Sequence, residues 1–213
     1  MASPHFRVLA ICSANICRSP AAETLLRREL KAWRDTVAIA SAGLWTPGGF
    51  PACDLSAALV GTPDPDLAHM SRQLTVDMVR DADLIVTADR THRAEIATID
   101  PRARHRAFTL RQAAHLSLPI VESFKASELP VGAPALPTDP TARLRWLAAE
   151  LDAGRGLAPV PPVLEPWDPE DVPDPHVLGY QLHSSAIDLI KASVADLVSA
   201  MRAVLKSDPL GTT

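Results

Sequence analysis

Cysteine is scarce in this chain, three residues in 213, which excludes a small secreted scaffold stapled by disulfides and fits a reducing compartment. Basic charge is not in excess either. Lys and Arg total 21 against 25 Asp and Glu, for a formal charge of −4, and sequence-independent binding to nucleic acid needs a net basic surface. Long apolar runs are missing near the start, where the longest, Val8 to Cys12, is too short for a signal-peptide core or a membrane span. No internal repeat occurs. These absences lead to the expectation of a soluble, cytoplasmic protein with neither a nucleic-acid nor a membrane partner.

What is present is enough apolar material for a core, 47% of residues with 22% charged, in a chain of a length that predicts one domain over residues 1–213. Proline is abundant: 20 residues, 12 of them between Pro119 and Pro175. Residues 119–175 therefore read as a Pro-rich elaborated loop region with one helical island, Thr141 to Ala153. A single long helix is predicted from His176 to Lys206, with Leu178, Leu182, Ala186, Leu189, Val194, Leu197, Met201 and Val204 on one face.

Before Pro119 the pattern alternates strands and helices. Phe6-Arg-Val-Leu-Ala-Ile-Cys12 is a near-continuous apolar run, as expected of a strand buried on both faces of a parallel sheet. Thr36–Ser41, Asp83–Ala88 and Arg106–Leu110 are further strands. Helices are predicted at Thr24–Trp33, Val76–Arg80, Arg90–Thr98 and Leu110–Leu116. The fold class is α/β, a small parallel sheet with helices on both faces. Ligands of such sheets bind beyond the carboxyl ends of the strands, which singles out the first strand-to-helix loop.

That loop is Cys12-Ser-Ala-Asn-Ile-Cys-Arg18-Ser19-Pro20. Short residues turning into a helix N-terminus let the N–H groups of Ser13, Ala14, Asn15, Ile16, Cys17 and Arg18 converge on one point, a nest for a tetrahedral oxyanion. Arg18 adds a planar fork suited to two phosphate oxygens. A Cys12 thiolate at the rim would be stabilised by the same groups and would face phosphorus as a nucleophile. Alternatives stand beside these roles: a cysteine ending a strand as a buried apolar residue, an arginine paired with Glu23, and Ser19 as an ordinary helix cap. Cys12 and Cys17 in a C-x4-C pair do not have a usual zinc spacing, and no third or fourth ligand sits nearby in sequence, so no metal is expected. Cys53 reads as structural.

The stretch Val8-Leu-Ala-Ile-Cys-Ser-Ala-Asn-Ile-Cys-Arg-Ser-Pro-Ala-Ala-Glu23 resembles the signature of the low-molecular-weight protein tyrosine phosphatases. Ser41-Ala-Gly43 and Ala82-Asp-Leu-Ile-Val-Thr-Ala-Asp-Arg90 resemble the same family. The resemblance covers residues 6–45 and 71–112 and extends thinly to 171–179, whereas 119–168 has no counterpart. It implies a phosphomonoesterase acting on phosphotyrosine in proteins, or on small aryl phosphates, through a phosphocysteine intermediate, with no metal or organic cofactor. Cys12 is then the nucleophile, Arg18 the phosphate clamp, and Asp174, of Asp171-Val-Pro-Asp-Pro-His176, the general acid. Asp168, which also precedes a proline, is the alternative among the five carboxylates Glu165, Asp168, Glu170, Asp171 and Asp174. Ser19 would hydrogen-bond Cys12, and Asn15 and Ser41 would brace the loop. A reversible Cys12–Cys17 disulfide has family precedent, and an inert, packed Cys17 is the alternative. Asp89 matches a family Asp and would equally cap the helix beginning at Arg90.

The chain departs from the family pattern at Ala14, where a glycine-like turn residue is usual, and at His176, where an aromatic lines the pocket mouth. Trp45 and Phe50 are candidates for the opposite wall. The six arginines from Arg90 to Arg111 would either attract acidic substrates or form a solvated face. Two other functions compete: a thioredoxin-coupled arsenate reductase, which needs cysteines that residues 83–118 lack, and a non-catalytic binder of phosphate or phosphoproteins.

Overall fold

The structure, a computed structural model, describes residues 5–46, 48–61, 68–156 and 168–207. Strand β1 (Phe6–Cys12) lies at the centre of a four-stranded sheet and is buried along all but one of its residues. Its neighbours are β2 (Val37–Gly43) on one side and β3 (Leu84–Thr87) on the other, with β4 (Ala107–Thr109) beyond β3, all parallel in the order β2-β1-β3-β4. The α/β class expected from the sequence is the observed one.

The two-residue period of the strands divides the core into two layers. Phe6, Val8 and Ala10 of β1 face one cluster with Ile39, Leu84, Val86 and Phe108. Leu9 and Ile11 face the other with Ala42, Ile85 and Ala107. The first layer is covered by α1 (Arg18–Glu29), α5 (Leu110–Lys125), α6 (Pro140–Gly154) and α8 (His183–Lys206), which contribute Leu25, Ile120, Leu147 and Leu197 among others. The second is covered by α3 (Val76–Asp81) and α4 (Arg90–Ile99) through Val79 and Ile96. Among the described residues no helix is long and apolar enough to cross a membrane.

Several sequence expectations need correction. Helix α1 begins at Arg18 rather than Thr24, because Pro20 falls in its first turn, where a missing N–H goes unnoticed. The short helix α2 (Asp54–Val60) was not foreseen. Helix α5 runs through Pro119 to Lys125 instead of stopping at Leu116. The amphipathic face that buries Leu116, Ile120 and Val121 outweighs the lost backbone hydrogen bond. Much of the Pro-rich region is therefore helical. Leu136, Leu144, Trp146, Leu147, Leu151 and Val172 from that region sit in the same core layer as β1. Residues 157–167, including Glu165, lie outside the described residues.

The last helix is not continuous from His176. Gly179, with φ +127°, separates the four-residue helix α7 (Pro175–Leu178) from a 3-10 turn over Tyr180–Leu182 and then α8. An L side chain rarely adopts that backbone angle, so glycine makes the break possible. Leu178 accordingly lies exposed, while Ile187, Ile190 and Val198 join the buried face of α8.

Candidate active site

The loop from Cys12 to Arg18 follows β1 at the carboxyl edge of the sheet and leads into α1. Its carbonyls are turned outward by donors from other segments. Cys12 O accepts from Leu44 N at 3.1 Å, Ser13 O from Trp45 N at 2.9 Å and Ile16 O from Cys53 N at 2.8 Å. His69 Nε2 meets Asn15 O at 2.8 Å. Among the described residues, no N–H from Ser13 to Cys17 donates to a backbone carbonyl. With the acceptors committed outside, the N–H edge of the loop is left for an anion.

Asn15 organises the turn. Its φ of 56° lies in the left-handed region that asparagine tolerates better than most residues. The departure from the family pattern at Ala14 is thereby accommodated, since the left-handed residue is the next one along. The buried Asn15 amide donates to Ser19 Oγ at 2.9 Å and to Ser41 Oγ at 2.8 Å, and its Oδ1 accepts from Arg72 N at 3.0 Å. Ser41 Oγ donates onward to Glu23. Gly43 closes the arrangement: a Cβ there would stand 2.8 Å from the Ala14 carbonyl carbon and 2.9 Å from Asn15 N. Only glycine lets β2 approach the loop that closely.

Cys12 Sγ is buried and lies 3.0 Å from Ser19 Oγ. Ser19 is the second residue of α1 and Cys17 holds the N-cap position without a side-chain cap bond, so the reading of Ser19 as helix cap is set aside. Burial pushes the Cys17 thiol up to about 12, despite a hydrogen bond with Ser56 Oγ at 2.7 Å.

Arg18 is 96% buried and draws together three parts of the chain. Nη1 donates to Asp89 Oδ2 at 3.2 Å and to Val172 O at 3.1 Å, and Nη2 to Ser13 Oγ at 3.1 Å and to Asp174 Oδ2 at 2.5 Å. Asp89 also caps α4, where its Oδ1 accepts from His92 N. Burial would raise the Asp89 carboxyl, but the nearby His92 ring, the backbone hydrogen bond from His92 and the charge of Arg18 outweigh it and hold the group below 3.8.

The carboxylates of the Pro-rich segment part company here. Asp168 pairs with Arg90 at 2.6 Å, and Glu170 lies 3.5 Å from Arg93. Asp171 accepts from Arg90 N at 2.9 Å, and Arg111 Nη1 donates to the carbonyls of Asp168 and Asp171. Arg90, Arg93 and Arg111 thus fasten the segment that carries Asp174. Among the described residues of this segment, Asp174 alone of the acids reaches Arg18.

Sequence reasoning missed His92, which is buried with Nε2 2.9 Å from Ser13 Oγ and Nδ1 3.0 Å from Asp89 Oδ2, the latter off the line of a straight hydrogen bond. Nothing in its local pattern distinguishes it from any other residue of α4. His69 and Arg72 were missed for the same reason. Of the proposed wall residues, Trp45 is exposed with its ring 5.9 Å from that of His92, and Phe50 is exposed with its backbone paired to Ser71. The His176 ring packs on Tyr180 and His183, with centroids 5.6 and 4.9 Å away. The sequence places no further metal ligand near Cys17, but the fold does. Cys17, Cys53, His176 and His183 each present a donor atom within 4.8 Å of the others, gathered by the fold from positions too far apart for any spacing rule.

Residues 7–118 match the low molecular weight phosphotyrosine protein phosphatase family, and the chain belongs to it. It is 35% identical over 99 residues to the low molecular weight protein-tyrosine-phosphatase Wzb of Salmonella typhi. That match covers 46% of this chain and 64% of the relative, so the chain aligns with somewhat less than two thirds of that protein's length. Over 91% of both chains the fold is similar to the crystal structure of the Erwinia amylovora tyrosine phosphatase AmsI, with a TM-score of 0.57 at 21% identity. The YwlE arginine phosphatase from Geobacillus stearothermophilus is similar with a TM-score of 0.56 at 19% identity, over 91% of this chain and 90% of that one.

Proposed function

We propose that this chain is a phosphomonoesterase that hydrolyses phosphotyrosine, in proteins or as small aryl phosphates, through a phosphocysteine intermediate. The observation that carries this reading is the meeting of three groups at one loop: the Cys12 thiol, the buried Arg18 guanidinium, and the Asp174 carboxyl 2.5 Å from it. A binder of phosphate would need the first loop alone. An acid brought there from the far end of the chain favours catalysis.

In the proposed first step the loop N–H groups and Arg18 hold the three non-bridging oxygens, and Cys12 Sγ attacks phosphorus in line with the leaving oxygen. The P–O bond to the phenol breaks as the P–S bond forms, and Asp174 gives its proton to the phenolate. A phosphate dianion competes with Asp174 for Arg18 Nη2, which frees the carboxyl to face the leaving group. In the second step water attacks phosphorus, the P–S bond breaks, and Asp174 takes the proton. Inorganic phosphate and the Cys12 thiolate are regenerated.

The reading treats residues 1–213 as one catalytic domain, supported by the packing of α6 and Val172 into the core layer of β1. It places the protein in the cytoplasm, where its three cysteines, all unpaired here, stay reduced. Arsenate reduction finds no support, since residues 83–118 carry no cysteine. The test is turnover of p-nitrophenyl phosphate and a phosphotyrosine peptide, blocked by vanadate. Cys12→Ser should abolish turnover, by several orders of magnitude, yet still bind vanadate. Because an arginine phosphatase shares this fold, a phosphoarginine peptide is assayed in parallel. Preference for it over phosphotyrosine, or activity that survives Cys12→Ser, would overturn the assignment.

A further inference from the structure

The Sγ atoms of Cys17 and Cys53 and a ring nitrogen of each of His176 and His183 lie within 4.8 Å of one another, and we infer that these four side chains form a binding site for a zinc ion. The site goes beyond the phosphatase reading and does not depend on it.

The chemistry of the donor set is that of a tetrahedral zinc centre with two sulfur and two nitrogen ligands. His183 is prepared for the role. It is buried, and its Nδ1 lies 2.7 Å from the carbonyl oxygen of Tyr180. A carbonyl only accepts, so Nδ1 carries the proton and Nε2 presents its lone pair, 3.5 Å from Cys53 Sγ. A hydrogen bond from the remote ring nitrogen to a backbone carbonyl is the usual way a metal-binding histidine is oriented. The stacking of Tyr180 on His183, with an interplanar angle of 11°, holds the ring further. Cys17 Sγ is buttressed by Ser56 Oγ.

All four ligands stand at the beginnings of helices. Cys17 and Cys53 are the N-cap residues of α1 and α2, neither using its side chain as a cap, while His176 is the second residue of α7 and His183 the first of α8. The positive ends of α1 and α8 favour anionic ligands. On binding, each thiol releases its proton to solvent, two Zn–S and two Zn–N bonds form, and no electron is transferred. Two thiolates cancel the charge of Zn2+, so the part-buried centre is neutral. A bound ion would join the phosphate-binding loop at Cys17 to the segment two residues beyond Asp174, and so hold the acid at the mouth of the loop.

The test uses the full-length chain, reduced, stripped of metal with a chelator and titrated with Co2+ in phosphate-free buffer. The expected result is thiolate-to-cobalt charge transfer together with the intense visible absorption of a tetrahedral ion. Both should saturate at one equivalent and be bleached by one equivalent of Zn2+. Cys12→Ser should retain the spectrum. His176→Gln, at an exposed position where misfolding is not at issue, should weaken Co2+ and Zn2+ binding by at least about tenfold. Cys53→Ser should lose charge-transfer intensity while circular dichroism reports an intact fold. A wild-type protein without the thiolate band at one equivalent overturns the proposal. So does a band that disappears in Cys12→Ser and persists in His176→Gln and Cys53→Ser, which would place the metal on the nucleophile.

Discussion

Arg18 Nη2 donates to Asp174 Oδ2 at 2.5 Å, across 156 positions of sequence. Asp168, six residues earlier, turns instead to Arg90 on α4. The two Asp-Pro dipeptides that look alike in sequence therefore have different partners, and their variants should behave differently. Asp174→Asn should slow hydrolysis of poor leaving groups by about 10²–10⁴, the usual worth of a positioned acid, and spare substrates with very acidic phenols. Asp168→Asn should leave that leaving-group dependence at its wild-type slope. A kcat series over substituted aryl phosphates checks both, and a steeper slope in Asp168→Asn would reassign the acid.

Asn15 combines a left-handed backbone with three side-chain hydrogen bonds, and two substitutions separate these contributions. Asn15→Ala loses both and should cost about 2–4 kcal/mol of stability. Asn15→Gly keeps the backbone angle at no steric cost and should be the more stable of the two by about 1 kcal/mol. Both should lose kcat, because Ser19 and Ser41 lose their shared donor. Urea unfolding gives the stabilities, and equal values for the two variants would show that the angle carries no strain.

The depressed Asp89 carboxyl makes a prediction about acid. A group held below its ordinary value contributes stability above the unfolded value of 3.8, and loses that contribution as pH falls through the folded value. Asp89→Asn can still cap α4 but carries no charge to set against Arg18. The gap in Tm between wild type and Asp89→Asn should be widest above about pH 5 and should close as the medium is made more acidic than about pH 4. A gap of constant size across a Tm series would show that the charge is not what matters.

Trp45 and His176 divide over the substrate ring. Trp45 lies exposed next to His92, which contacts the loop at Ser13, and Trp45→Ala should raise KM for phosphotyrosine peptides several-fold with kcat nearly unchanged, an effect of about 0.5–1.5 kcal/mol. His176 packs on Tyr180 and His183, so His176→Tyr should leave KM for metal-free protein near the wild-type value. A fall in KM for that variant would return His176 to the pocket wall.

How far the sequence could be read depended on whether the information was local. β1 was legible because a strand buried on both faces writes itself as an unbroken apolar run, and the loop after it because cysteine, turn residue and arginine lie within seven positions. The extent of α5 was hidden because Pro119 is a local signal of termination, overridden by packing that only the folded chain supplies. The break at Gly179 was hidden inside a helix-like apolar pattern. Asp89 looked like a cap and is one, and its second contact with Arg18 depends on how the ends of β1 and β3 are placed. The cluster of Cys17, Cys53, His176 and His183 has no signature in spacing at all, since four separate helix starts must dock before the side chains meet.

The order of β1 and α8 along the chain has a consequence for how the fold is made. Ala186, Ile187, Ile190, Val194, Leu197 and Met201 of α8 belong to the layer that covers Phe6, Val8 and Ala10 of β1. A nascent chain still tethered to the ribosome before residue 183 has α1, α5 and α6 against that side of the sheet but lacks the share that α8 covers. It must carry that share, sheltered or at risk of aggregation, until α8 emerges.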